Sequence, residues 1–162
     1  MTYFRTIRFA DTDAAGVVYF ASLMSVCHEA YEAAIAESGI DLRSFFSGSD
    51  VAVPIVRAEI DFFQPLFCGD AIEVRLAPNQ LSSSEFEVIY DIFVRGCSRR
   101  ASRATTRHVC IDPHKRRRQP LPEAIERWVS SSAQSLEPSP DEPRTSILDV
   151  QPTDPQENQP SE

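Results

Sequence analysis

The chain has 162 residues and a formal net charge of −8, a length that suits one domain with its own core and leaves little room for a second. No stretch approaches the roughly 18 uninterrupted apolar residues of a membrane helix, so no membrane span is expected, and the acidic balance argues against nucleic acid as a partner. The charge is uneven: residues 133–162 hold seven acids against Arg144 alone, so residues 1–132 keep seventeen acids against fifteen bases and are nearly neutral.

The N-terminus, MTYFRTIRF, lacks the charged-then-apolar layout of a secretory signal, and a cytoplasmic protein is the expectation. Residues 2–9 are rich in aromatic and β-branched side chains and read as a strand. From about 20 to 38, FASLMSVCHEAYEAAIAES contains no proline or glycine, and Leu23, Val26, Cys27, Ala30 and Ala34 recur at helical spacing. Gly39 is a natural stop. Its many alanines would let a sheet approach this helix closely.

The period then changes to two. Ala58, Ile60 and Phe62 alternate with Arg57, Glu59 and Asp61; Ile72, Val74 and Leu76 alternate with Glu73 and Arg75; and Phe86, Val88, Tyr90, Ile92 and Val94 form one face of a longer strand. Residues 99–111 make a fourth, polar-leaning run with Arg99, Arg103 and Arg107 on one side. The connections at 65–69, 79–84 and 96–98 are short, so sequential strands are expected to pair antiparallel. LPEAIERWV (121–129) reads as a brief closing helix with Pro122 near its start. One long helix on an antiparallel sheet is an α+β layout. Ile89 and Phe93 on the outer face suggest partial burial there and hence an oligomer.

After Trp128 the composition turns to Pro, Ser, Glu and Gln. Residues 133–162 are expected to be a disordered acidic tail, with SILDV (146–150) as its one apolar spot. The domain is therefore placed at 1–132. Cys27, Cys68, Cys97 and Cys110 form no C-x-x-C pair and are expected to be reduced, buried thiols.

Several chemistries are excluded. The five glycines are too dispersed for a phosphate loop or dinucleotide fingerprint. HEAYE (28–32) begins like a zinc motif, but Glu32 stands where the second histidine belongs, so no metal is expected. Ser47-Gly48-Ser49 lacks the nucleophile elbow of a serine hydrolase. KRRR (115–118) is either a solvated loop or a clamp for a charged ligand, since arginine suits phosphate oxygens.

FADTDAAGVVYF (9–20) places two carboxylates, Asp11 and Asp13, just before the long helix. They could serve turn and cap chemistry, with Gly16 at an unusual backbone angle. They could also serve catalysis. A loop ending in a helix N-terminus offers free N–H groups and the positive end of the dipole, an acyl oxygen can be polarised there, and a carboxylate beside it could attack the acyl carbon or activate a water. Tyr19 and Phe20 would make a dry wall. His28, two turns into the helix, is either a core or interface histidine or a group that orients a substrate hydroxyl, with Glu32 in reach at i+4.

This motif, followed by a long helix and four antiparallel strands, resembles the hotdog-fold thioesterases of the 4-hydroxybenzoyl-CoA type. CHEAYE (27–32), IDFFQPLFCGD (60–70) and HVCIDPHKRRRQPLP (108–122) are similar to the 1,4-dihydroxy-2-naphthoyl-CoA hydrolase branch. The resemblance covers residues 3 to about 130. It implies a five-stranded antiparallel sheet wrapped around one central helix, a dimer of dimers with shared active sites, and cleavage of 1,4-dihydroxy-2-naphthoyl-CoA on the way to phylloquinone, without metal or bound cofactor. It also implies Asp13 as the catalytic acid, a structural role for Asp11, the N–H near Phe20 as carbonyl-polarising donor, and Gly16, Tyr19 and His28 at the substrate. Two departures stand out. Phe20 occupies a position where a related branch carries histidine, and residues 80–84 lack the basic cluster with which the 4-hydroxybenzoyl branch grips nucleotide phosphate. Arg116, Arg117 and Arg118, or Arg99 and Arg100, are the replacements expected for that grip. Another acyl-CoA as substrate, or a module that only binds acyl-CoA, remain the alternatives.

Overall fold

A computed structural model describes residues 1–47 and 50–132; the tail expected at 133–162, SILDV included, lies outside the described residues. In chain order the elements are β1 (Thr2–Thr6), a single 3-10 turn (Phe9–Asp11), α1 (Phe20–Glu37), α2 (Leu42–Ser47), β2 (Ile55–Phe62), β3 (Ala71–Ser82), β4 (Glu85–Val94), β5 (Arg100–Val109), β6 (Ile111–Asp112), β7 (Arg117–Arg118) and α3 (Glu123–Ser132). β1 to β5 form one antiparallel sheet in the order β1-β3-β4-β5-β2, and β6 and β7 form a small hairpin.

α1 starts after Tyr19 in extended backbone and ends where Gly39 takes φ 83°, a left-handed conformation open to glycine at little cost. Its buried face is Leu23, Val26, Cys27, Ala30, Tyr31, Ala34 and Ile35. It packs with the inward residues of the sheet, among them Val74, Leu76, Phe86, Val88, Tyr90, Ile92, Ala101 and Ala104, in one core. The two alanines on the buried face let the backbone of α1 lie close to the strands. Leu121, Ile125, Trp128 and Val129 extend the same core from the side of α3, which begins after Pro122 and runs three residues beyond the 121–129 expected.

One expected pairing is corrected. β3 with β4 and β4 with β5 are hairpin neighbours, but β2 does not pair with β3; it crosses to the far edge and pairs with β5. β1 holds the edge of β3 instead, with Thr2 to Thr6 against Arg75 to Ala71, and the crossing segment is pinned to its end by Ile7 N–H to Asp70 O (2.8 Å) and Gly69 N–H to Ile7 O (2.9 Å). β2 is consequently an edge strand, with its first five residues exposed on both faces. The first strand also stops at Thr6 instead of residue 9; Phe9 enters the 3-10 turn and is 84% exposed. Of the four thiols expected to be buried, Cys27 and Cys110 are, whereas Cys68 and Cys97 sit in exposed turns. Burial pushes the Cys27 thiol up to about 12. No helix among the described residues is long and apolar enough to cross a membrane.

His108 is the one buried histidine of the described residues, 1% exposed on the inner face of β5. Phe86 stacks on its ring at 4.6 Å, Tyr31 tilts against it at 4.8 Å, and its Nε2 shares a 2.9 Å hydrogen bond with Thr106 Oγ1, which in turn meets Tyr90 OH at 3.0 Å. Burial, then the charge of His28, lowers its pKa to about 4 from the ordinary 6.5. Between those values the unfolded chain takes up a proton that the folded chain refuses. Stability is therefore fully present above pH 6.5 and falls as the pH drops toward 4. Chemical denaturation of His108→Gln beside the parent is expected to remove about 2 kcal/mol of the loss that the parent suffers between pH 6.5 and 4.5. Parallel curves for the two proteins would contradict it.

Candidate active site

The two acids of the FADTDAAG stretch have opposite surroundings. Asp11 is 8% exposed. Its carboxylate accepts from Arg5 Nη2 at 2.9 and 3.0 Å and from the Arg8 amide at 2.7 Å. Its backbone carbonyl accepts from the Tyr19 amide at 2.9 Å, at the N-cap of α1. Asp11 thus closes the base of a loop that leaves and returns through it.

Within the loop, Thr12 and Val18 form an isolated bridge, the Asp13 amide donates to Val17 O (2.9 Å), and the Gly16 amide donates to Asp13 O (3.0 Å). Gly16 has φ 77°, as a turn closing at this point requires. Asp13 is at the tip. Its Oδ1 accepts from the Ala15 amide at 2.8 Å, which fixes the direction of the carboxylate and leaves Oδ2 without a described partner. The loop is tied down from outside by the Val18 amide to Leu66 O (2.9 Å) and by the bridge between Val17 and Phe67.

α1 begins directly after this loop. No side chain caps its N-terminus, and its first turn carries no acid. The leading N–H groups of any α-helix lack intrahelical acceptors, so here the positive end of the dipole is left uncompensated. Tyr19 and Phe20, 44% and 55% exposed, have ring centroids 4.6 Å apart beside that end.

Asp13, Gly16, Tyr19 and Phe20 are therefore gathered within one turn and one helix start. All four are exposed, so the dry wall expected of Tyr19 and Phe20 is not closed by the described residues. His28 lies eight residues further along α1, about 12 Å on by helical rise. It too is exposed; its Nδ1 is 3.8 Å from Glu32 Oε1, as the i+4 spacing anticipates, and its ring stacks on Tyr31 at 5.8 Å. The core-histidine reading of His28 is thus set aside, and His108 fills that role.

The basic candidates divide. Arg116 and Arg117 are exposed, Arg116 at φ 51° in the turn where Asp112 accepts from the amides of His114 and Lys115 at 2.9 Å each. Arg118 is held 3.0 Å from Glu85, which also takes Arg107 at 3.0 Å. Arg100 is bound to Asp91 at 2.5 Å and lies over Phe63; Arg99 stays exposed. No cluster of three or more potential metal ligands occurs among the described residues. Sequence reasoning missed Arg5. Its one signal was a lone arginine in the aromatic run TYFRT.

The antiparallel sheet, its central helix and the acidic turn before that helix are the frame of a hotdog thioesterase. The profile of the thioesterase-like superfamily matches residues 7–129, and the chain belongs to that superfamily. It is 53% identical over 133 residues to a 1,4-dihydroxy-2-naphthoyl-CoA hydrolase of Crocosphaera subtropica, covering 82% of this chain and 97% of that one. To the enzyme of the same name from Rippkaea orientalis it is 55% identical over 134 residues, with coverage of 82% and 97%. Among solved structures it superposes on a 1,4-dihydroxy-2-naphthoyl-CoA thioesterase from Synechocystis with a TM-score of 0.77 at 40% identity, covering 80% of this chain and 94% of that one.

A Cβ at Gly16 would meet nothing within 4 Å, so a substitution there is opposed by backbone conformation alone. Gly16→Ala is expected to cost roughly 1 kcal/mol in denaturant-induced unfolding. An unchanged midpoint would contradict the left-handed turn.

Proposed function

We propose that the protein hydrolyses 1,4-dihydroxy-2-naphthoyl-CoA to the free acid and CoA, a step toward phylloquinone, with Asp13 as the catalytic carboxylate. One observation carries this reading: the Asp13 carboxylate is held on a turn immediately before a helix N-terminus that no side chain caps and no acid compensates. The thioester carbonyl lies against the leading amides of α1, Phe20 N–H among them, where charge developing on its oxygen is stabilised. Asp13 attacks the acyl carbon or activates the water that does. Thiolate is a good leaving group, so the site needs no strong general acid. Tyr19 and Phe20 flank the acyl group, Gly16 lets the turn close beside it, and His28 faces a ring hydroxyl. Arg116 and Arg117, with Arg118 in part, meet the CoA phosphates. No metal or cofactor has a part.

The exposure of these groups supports a second copy of the chain as the other wall of the site. Among the described residues β2 has a strand neighbour on one side alone and exposed Ile55 and Val56, at 43% and 58%, which suits antiparallel addition of a second β2 about a twofold axis. The outer face around Ile89 and Phe93 suits a further pairing of dimers. The catalytic unit is residues 1–132, and the setting is the cytoplasm.

Asp13→Asn is expected to keep fold and assembly and to lose thioester cleavage by about three orders of magnitude or more, read as CoA release from the naphthoyl ester beside benzoyl and palmitoyl esters. Near-normal turnover would refute the role of Asp13, and equal rates on the aliphatic ester would refute the substrate. Val56→Pro is expected to shift the native mass toward the single chain and to abolish activity with it, since proline disrupts an edge meant for pairing. An active single chain would refute the shared site.

A further inference from the structure

Arg5 joins three elements that no other side chain of β1 joins. Its side chain is 12% exposed. Nη2 donates to both oxygens of Asp11 at 2.9 and 3.0 Å, and Nη1 donates to Glu29 Oε1, on α1, at 3.1 Å. Tyr3 OH donates to the other oxygen of Glu29 at 3.1 Å. One guanidinium thus grips the base of the Asp13 loop with one nitrogen and the third turn of α1 with the other.

Asp11 is where the loop starts and, through its carbonyl on the Tyr19 amide, where it returns to the helix. Whatever fixes Asp11 relative to α1 therefore fixes the distance between the Asp13 carboxylate and the first amides of the helix. The loop has other ties, to Leu66 and Phe67, but these hold it to the crossing segment and not to the helix. We propose that Arg5 is a positioning residue for the reaction: by bridging Asp11 and Glu29 it sets the separation of the Asp13 turn from the uncapped end of α1. The proposal rests on the reading of Asp13 given above.

The chemistry of the bridge requires arginine. Its planar fork reaches two carboxylates at once, while the compact ammonium of lysine satisfies one well and the other poorly. Without Arg5 the Asp11 carboxylate stays buried with the Arg8 amide as its remaining described donor, an arrangement that relaxes by movement of the loop. A displacement of about 1 Å of a reacting group costs on the order of 100-fold in rate. Binding of the CoA portion does not pass through this bridge, so the loss falls on turnover and not on substrate affinity.

The test compares Arg5→Met, Arg5→Lys and Asp11→Asn with the parent and with Asp13→Asn, in full-length chains, reading kcat and KM for naphthoyl-CoA and hydrogen exchange at the amides of Asp13, Val18 and Tyr19. Arg5→Met is expected to lower kcat about 100-fold with KM within about threefold, and to speed exchange at those amides. Arg5→Lys is expected to recover part of the rate. Asp11→Asn, which keeps the shape of the side chain, supplies the same comparison should Arg5→Met fail to fold, and a variant combining Arg5→Met with Asp11→Asn should be no slower than the slower of the two. Parent-like kcat in folded Arg5→Met, a loss carried by KM alone, or unchanged exchange would overturn the proposal. Should Asp13→Asn turn over normally, the catalytic reading falls, and the exchange data still report whether Arg5 holds the loop.

Discussion

A single sheet can bury one helix on one face and cannot close on itself. That constraint organises this molecule. The inner faces of β3, β4 and β5 supply the large residues of the core, and α1 answers with a face that includes Ala30 and Ala34, so that the helix sits low against the strands. The cost of the arrangement appears at the perimeter. β2 has a neighbour on one side alone among the described strands, and the start of α1 emerges at an end of the sheet with its amides uncompensated. The features that carry the proposed chemistry are therefore by-products of the architecture: a helix packed by one face on a sheet presents its terminus where Tyr19 and Phe20 stay exposed among the described residues.

Two aspartates, one residue apart, show how local folding separates structural from reactive groups. Asp11 lies at the end of a 3-10 turn, buried, with its lone pairs taken by Arg5 and by the Arg8 amide. Charge-assisted bonds of that kind are strong and directional, and they consume the carboxylate. Asp13 lies two residues on, at the tip of a turn, with one oxygen on the Ala15 amide. A carboxylate that is oriented by one bond and otherwise unspent can do chemistry; one that is saturated can only hold structure. The pair needs both, because a reactive acid on a loop is useful only when the base of that loop is rigid.

How much of this was legible in the residues depends on the range of the interactions. Local signals served well: the proline-free run with Gly39 after it marked α1 to within a residue, and the alternation of Phe86 to Val94 marked the inner face of β4. Long-range choices left no mark. The alternation in β2 is that of a strand with one buried face, yet β2 takes the outer edge because β1 has already claimed the edge of β3. Cys68 and Cys97 are exposed because they fall in turns, a matter of topology and not of residue type. The six-residue α2 and the β6–β7 hairpin were too short to show a period. At the site, the motif was recognisable by resemblance and the structural fate of Asp11 was anticipated, but its partner Arg5 was not, since nothing in TYFRT says that the fourth residue turns toward a helix 24 positions away.

The site and the core communicate through one aromatic ring. His28, exposed beside Glu32, lies flat on Tyr31, and Tyr31 lies against His108 in the core. The positive charge of His28, when present, opposes a second charge on His108, adding to the effect of burial. Both effects act on His108, which is kept neutral in the core. The interior stays neutral, and the exposed His28 ring rests on Tyr31 from above. Tyr31 serves that purpose because its ring fills the gap between two imidazoles, while burial raises the pKa of its hydroxyl and keeps it uncharged. An aliphatic residue at the same place would remove this stacking contact and leave His28 with the edge of Phe46 and with Glu32. The geometry of the outer ring thus depends on the composition of the core beneath it, just as the geometry of Asp13 depends on the ion pair beneath the loop.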